Sequence, residues 1–283
     1  MAETRWNSVA VIGVGIIGGS IGRALLRHGI AQQVIGIGRH AGRLESAREA
    51  GIISHATTDL AAGVSAADVV VACTPVQQIA DDLERAARHA PPHCLLIDAG
   101  STKETIVERL DRTLSKDRRF VGCHPLAGSE KSGFEHARDD LFEDRWVILT
   151  PTSRTQPAVL DEAARFWQSL GARTLNLSPA EHDRGVAWVS HLPHAVAAVL
   201  AACTPAEYLS LAATGWRDTT RVASGDALLW TQIFSENRAA VADALRGFTD
   251  ELETFCKYLK DLDSAQLERL LAAGKHKRDA VAD

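Results

Sequence analysis

The feature that most constrains this chain is Gly13-Val14-Gly15-Ile16-Ile17-Gly18, a G-x-G-x-x-G turn. It follows an apolar run at residues 8–13 and precedes a helical pattern at residues 20–28. In such a turn the first glycine permits a tight bend and the second lets the backbone approach a pyrophosphate. The third lets helix and strand pack closely. The helix that opens beyond it presents free N–H groups and a favourable dipole to phosphate, and Ile16 and Ile17, within the turn, are counted with the cofactor-binding residues. The pattern alone is weak, and a glycine-rich turn with no ligand is the alternative. At the head of a βαβ series it predicts dinucleotide binding.

That series is present. Short apolar runs at residues 34–37, 69–73, 95–98 and 120–123 alternate with helical patterns at 43–49, 79–89 and 104–114. Two more strand candidates, 146–149 and 173–177, flank a helical stretch at 159–170. This alternation predicts βαβ units and a mostly parallel sheet, and near-continuous apolar strands fit a sheet covered on both faces. After Pro179 the texture changes and Ala and Leu dominate, with long helical patterns at 180–202, 207–214, 228–260 and 265–271. We expect an α/β chain: a Rossmann-type sheet domain over 1–178, then an all-α domain over 179–283 that serves dimerisation. With 283 residues in all, the helical part is lean for a domain standing alone. A homodimer through it, with no appended regulatory domain, is the expectation.

Composition excludes several classes. The chain carries 31 Lys and Arg against 36 Asp and Glu, a formal charge of −5, with the basic residues scattered. Nucleic-acid binding needs a concentrated basic face, so none is expected. The five cysteines form no C-x-x-C pair, which fits neither a disulfide framework nor a zinc cluster. The most apolar stretch, Val186 to Cys203, contains His191 and His194. A core helix is expected there, not a membrane span. No signal-peptide pattern opens the chain, so a cytoplasmic location without membrane partners is the expectation.

Ligands of such sheets bind at the carboxyl ends of the strands. An acid at the end of the second strand would bond the ribose 2′-OH of NAD, but Gly38-Arg39 stands there. Arg39 suits a 2′-phosphate, so the cofactor is expected to be NAD(P) with NADP preferred. Thr74-Pro75, after the third strand, lies at the same edge. So do Ser101, in Asp98-Ala-Gly-Ser101-Thr-Lys103, and His124, in Cys123-His124-Pro125. A histidine at this edge is placed for proton transfer near neutral pH, and Ser101 is placed to bond it or the substrate. A turn-stabilising serine and a structural histidine are the plain alternatives. In the helical part, His191 and His194 stand three apart, but no third ligand has a fitting spacing, so no metal is expected. Arg217 and Arg221, four apart, suit a dicarboxylate substrate or ordinary surface pairing.

Taken together, Gly13–Gly18, Asp98–Ser101, His124–Gly133, Ser190–His194 and Arg217–Arg221 occur in an order that resembles the prephenate/arogenate dehydrogenases of tyrosine biosynthesis, over essentially the whole chain. The resemblance implies oxidative decarboxylation of a cyclohexadiene substrate with a nicotinamide cofactor. It matches His124 to the catalytic histidine and Ser101 to the serine that orients the ring hydroxyl. His194 and His191 match residues near the substrate. Arg221, with Arg217 beside it, matches the carboxylate-binding position, and Glu130 the same polar network. Asp218 and Trp230 match positions that approach the partner subunit's site in similar proteins. Many members carry an acid where this chain has Gly38-Arg39, which bears on the cofactor. A β-hydroxyacid-type dehydrogenase is the nearest enzyme rival, but it would need a lysine on the helix after the sheet, and none stands between Lys131 and Lys257. A non-catalytic dinucleotide sensor would have no need of Ser101, His124 and the arginine pair together.

Overall fold

The computed structural model describes residues 6–128, 131 and 133–281. The first half alternates as its sequence predicts: β1 (Trp6–Ile12), α1 (Ile16–Arg27), β2 (Ala31–Ile37), α2 (Ala41–Glu49), β3 (His55–Thr57) and α3 (Leu60–Val64). There follow β4 (Val69–Ala72), α4 (Ile79–Ala87), β5 (Leu95–Asp98), α5 (Glu104–Thr113) and β6 (Arg119–Pro125). Then come β7 (Trp146–Thr150), α6 (Pro157–Ser169) and β8 (Arg173–Asn176). The strands make one sheet in the order β3-β2-β1-β4-β5-β6-β7-β8. Every neighbouring pair is parallel except β6 and β7.

The central strands β4 and β5 are buried along their whole length, because helices cover both faces. On one face Ile21 and Leu25 of α1 and Phe166 and Trp167 of α6 close over Val9, Val71 and Ile97. On the other, Ile79 and Leu83 of α4 and Leu110 of α5 close over Ala10, Val70 and Leu96. Full burial of each such side chain contributes about 1.5–3 kcal/mol. The strand order reverses between β1 and β4, and that switch point opens a crevice at the carboxyl edge.

Beyond Asn176 the chain is helical. Ser178 caps α7 (Pro179–Val186) through a reciprocal capping box with Glu181, and Pro179 takes the first turn, where its missing N–H costs nothing. A π-helical turn, Ala187–His191, leads into α8 (Leu192–Cys203). Pro193 explains it: inside a regular helix the ring clashes with the preceding turn, and a π-bulge widens the backbone to admit it. Then follow α9 (Thr214–Thr220) and α10 (Ala227–Glu236), the latter capped by the Asp226 carboxylate.

The sequence predicts one helix through 228–260, but it breaks at Asn237. The Asn237 amide turns inward and donates to the Asp183 carbonyl oxygen at 2.7 Å, a tertiary contact that no helical periodicity reports. The first compact unit therefore runs past residue 178 and ends at Asn237, and the second begins at Arg238. The second unit is a helical hairpin of α11 (Arg238–Lys260) and α12 (Ser264–Asp279), with Asp263 capping α12.

Candidate active site

The glycine turn does what its spacing requires. Gly13 has φ +92°, a backbone state that disfavours side chains, and a Cβ there would come 2.8 Å from the Cys73 carbonyl oxygen. A Cβ on Gly18 would overlap the Gly13 carbonyl oxygen and stand 2.8 Å from Cγ1 of Val11. Gly15 differs, since a Cβ there meets nothing within 4 Å. It faces open space, where a ligand can approach the backbone. The first turn of α1 has no side-chain cap and no acid, so its N–H groups stay available to an anion.

In front of this turn lies a cleft of about 740 Å³. Gly13, Val14, Gly15, Thr74 and Pro75 line one part, and Gly38, Arg39, His40 and Arg43 line the end beside β2. Arg39 and His40 are exposed, and Arg43 lies 3.8 Å from Glu135. Ile16, Ile17 and Gly18 do not line the cleft. Gly18 is the packing glycine, and Ile17 packs against the core. The dimensions, the open glycine and the uncapped helix fit a dinucleotide.

Two strands over, β5 and β6 build the second part of the edge. Their backbone pairing ends at Ile97 and Val121. Asp98 continues it with its side chain: Oδ1 accepts from the Cys123 N–H at 3.0 Å, and Oδ2 from the Gly100 N–H at 2.8 Å. Oδ2 also receives the ammonium of Lys103, and both side chains are fully buried. A buried charge needs such a partner and such hydrogen bonds. The pair locks the residue before His124 in place.

His124 is not beyond the strand but near its end, opposite Ile148 of β7. Its Nδ1 lies 2.8 Å from Nε2 of His182, on α7. Nδ1 of His182 lies 2.7 Å from Oδ1 of Asp183. The same carboxylate accepts the N–H groups of Lys103 (2.8 Å) and Glu104 (2.9 Å) at the start of α5. Burial, then the charges of His182, Lys103 and His191, hold the His124 pKa well below its ordinary value. Burial also lowers His182, although Asp183 opposes that shift. Burial alone would raise Asp183, but hydrogen bonds from His182 and from the Glu104 and Lys103 backbone outweigh it, so the carboxyl is held low. At neutral pH the histidines are uncharged and Asp183 is a carboxylate.

The helices add aromatic and polar neighbours. His194 and Trp230 stack within the chain, with ring centroids 3.6 Å apart and planes 15° from parallel. Gly225 makes room, since a Cβ there would come 2.7 Å from Nε1 of Trp230. Nδ1 of His194 is buried and has no partner among the described residues. His191 is buried, its Nδ1 lies 3.2 Å from Nδ2 of Asn237, and desolvation lowers its pKa to about 4. Arg217 and Asp218 lie exposed on α9, and Arg221 lies just beyond it in a 3-10 turn, so the helix does not run through both arginines.

Of the residues singled out from sequence, His124, His191, His194 and Trp230 stand in this network. Ser101 is half-buried, and among the described residues no hydrogen bond joins it to His124. Nδ1 of His124 is already engaged by His182. Glu130 lies outside the described residues. Sequence reasoning missed His182, Asp183, Asn237 and the Asp98–Lys103 pair. The adjacent His182-Asp183 beside a capping box was the available signal. Burial raises the thiols of Cys73 and Cys123, and that of Cys94 to about 12. No reactive thiolate stands at this edge.

Comparison with known proteins agrees with this construction. Residues 21–176 match the nucleotide-binding domain of prephenate dehydrogenase, and residues 178–273 match its dimerization domain. The chain is 34% identical to a prephenate dehydrogenase of Bacillus subtilis (strain 168), over 97% of this chain and 76% of the relative. The structure of a prephenate dehydrogenase from A. aeolicus, in complex with hydroxyphenyl propionate and NAD+, superposes with a TM-score of 0.90 at 32% identity, covering 98% of each chain. A Synechocystis arogenate dehydrogenase superposes with a TM-score of 0.82 at 31% identity, over 96% of this chain and 99% of that one.

Proposed function

The chain belongs to the prephenate dehydrogenase family, and from that premise we propose that it oxidatively decarboxylates prephenate or arogenate in tyrosine biosynthesis, with NADP preferred over NAD. The observation that carries the reading is the placement of His124. It stands at the sheet edge shared with the dinucleotide cleft, uncharged at neutral pH, with one ring nitrogen engaged and the other without a partner among the described residues.

When bound, the nicotinamide cofactor supplies the acceptor for the hydride. The chain's own residues do the rest. His124 takes the proton of the ring hydroxyl, and Ser101 orients that hydroxyl. Arg221, Arg217 and Asp218 hold the polar groups of the substrate, and His194, His191 and Trp230 wall the ring. Glu130 completes this polar network by resemblance alone. Aromatisation drives the chemistry, so the protein has chiefly to position two ligands and remove one proton. Gly13 and Gly15 shape the pyrophosphate seat, Ile16, Ile17 and Gly18 open the helix that faces it, and Thr74 and Pro75 flank it. Arg39 reaches for a 2′-phosphate at the cleft wall where an NAD enzyme would place an acid.

We place the boundary between the nucleotide-binding and helical domains near residue 178. The helix Pro179–Cys203 is long and apolar enough to cross a membrane, and a third of its most apolar window is buried. Two of its residues are the buried His191 and His194, which suit a protein core. Trp188, Val189, Val199, Leu211 and Leu228 are exposed apolar residues of this region. A second copy of the chain covers them in this reading, in keeping with the dimerization-domain match. The enzyme is then a cytoplasmic homodimer. A spectrophotometric assay crossing both substrates with both cofactors tests the function. Turnover with at least one substrate, at higher kcat/KM with NADP, supports it. No turnover with either refutes it, and a clear advantage for NAD refutes the cofactor preference.

A further inference from the structure

Three side chains form a chain of contacts behind the assigned base: His124 Nδ1 to His182 Nε2 at 2.8 Å, and His182 Nδ1 to Asp183 Oδ1 at 2.7 Å. We propose that His182 and Asp183 are positioning residues that fix which nitrogen of His124 is bare and share the proton it takes up. The proposal rests on the reading of His124 as the base in the family reaction.

The assignment follows from donor and acceptor logic. Asp183 is a carboxylate and can only accept, so Nδ1 of His182 carries a hydrogen and donates to it. Neutral His182 then has a lone pair on Nε2. His124 must donate to that lone pair through Nδ1–H, which leaves Nε2 of His124 bare. A bare Nε2 is what a general base needs, and His124 has no other described partner to hold it in that tautomer.

Asp183 is itself immobilised. It accepts the Lys103 and Glu104 N–H groups, and Asn237 holds its backbone carbonyl. The carboxylate is therefore anchored to α5 as well as to α7. Such support keeps a catalytic ring within the narrow geometry that proton transfer requires.

The step balances as follows. The substrate O–H bond breaks and an Nε2–H bond forms on His124. The Nδ1–H bond of His124 then breaks, and an Nε2–H bond forms on His182. Positive charge ends on His182, against the Asp183 carboxylate, and no other reactant is needed. The charged and titratable groups facing this pair are Lys103 from the N-cap of α5, Asp98 from β5 and His191 from the π-helical turn. Lys103 is paired with Asp98, which leaves Asp183 as the anion that favours protonation of the two rings. The two histidines titrate as a coupled pair, so the pH profile reports on both.

His182→Gln keeps an acceptor for His124 but cannot carry the proton, and Asp183→Asn removes the anion. Each is expected to lower kcat about 10–100-fold, the loss that removing a supporting partner of a site residue typically causes. Each also moves the acid limb of the kcat/KM profile to lower pH, because the pair loses the anion or the ring that stabilised its proton. His124→Asn, measured alongside, separates the two levels. If it keeps near-normal turnover, the base assignment fails and the proposal with it. If it loses turnover while both other variants keep the wild-type acid limb, the proposal alone is overturned. Should Asp183→Asn not fold, nitrogen NMR of ring-labelled wild-type protein without cofactor decides. An Nδ1–H, bare-Nε2 tautomer at His124 is expected, and the opposite tautomer overturns the proposal.

Discussion

The dinucleotide cleft and the histidine network share one sheet edge, but they are made of different material. The glycine-turn end of the cleft is mostly backbone: a positive-φ glycine, a glycine facing open space and an uncapped helix start, all within Gly13–Gly18. The histidine network is mostly side chain, and its members come from β5, β6, α5, α7 and the residue ending α10. In the proposed reading, cofactor binding is thus built from short-range geometry, and proton transfer from contacts between residues 58 and 54 positions apart. A backbone site tolerates change around it and fails when a Cβ intrudes. A side-chain site fails when one member is changed, while the fold around it survives.

The sharpest way to break this contrast is His124→Asn. We expect kcat to fall about 10³-fold, within the span of general acid–base contributions, while cofactor affinity measured by fluorescence titration stays near wild type. A parallel loss of cofactor binding would show that the two regions are not separable. Next in size is the pair Gly18→Ala and Gly15→Ala. The first forces a Cβ against the Gly13 carbonyl and Val11, and should cost about 1–3 kcal/mol in urea unfolding, as overpacking does. The second meets open space, so stability should change by less than about 0.5 kcal/mol while dinucleotide affinity falls. Equal stability losses would contradict the division of labour within the turn.

How much of this was legible follows the same line. The glycine turn could be read because its job is done by consecutive residues. His124 could be read because a strand end fixes its edge. β3 and α3 could not, because three and five residues carry too little periodicity. The break at Asn237 was hidden because the flanking helical pattern continues through it. His182 and Asp183 looked like ordinary residues of a first helical turn. Only the fold brings that turn against β6 and the start of α5. The buried Lys103 likewise reads as a surface residue until Asp98 is seen beneath it.

Arg39→Ala sharpens the comparison at the cofactor end. A charge-assisted hydrogen bond contributes about 1.5–3 kcal/mol, so kcat/KM with NADP should fall about 10–100-fold while the value with NAD hardly moves. A uniform loss with both cofactors would place Arg39 in the fold and not in ribose recognition. The smallest expected effect is on pH. His191 titrates near 6.5 when unfolded and at about 4 when folded, because burial disfavours its charge. Between these values the unfolded chain binds the proton and the folded chain does not, so stability rises with pH. The contribution is complete above about pH 6.5 and is lost as pH falls toward 4. His124, His182 and His194 shift in the same direction. Urea midpoints at pH 7.5 and pH 5 should therefore differ, with the lower value at pH 5. Equal midpoints would mean that the histidines are not held neutral.

The most direct test of the central claim is the stoichiometry of turnover. The wild-type protein, given prephenate or arogenate with NADP, should release carbon dioxide and form reduced nucleotide in equal amounts. Reduced nucleotide formed without carbon dioxide would contradict the account, because the hydride would then have left a substrate that does not become aromatic.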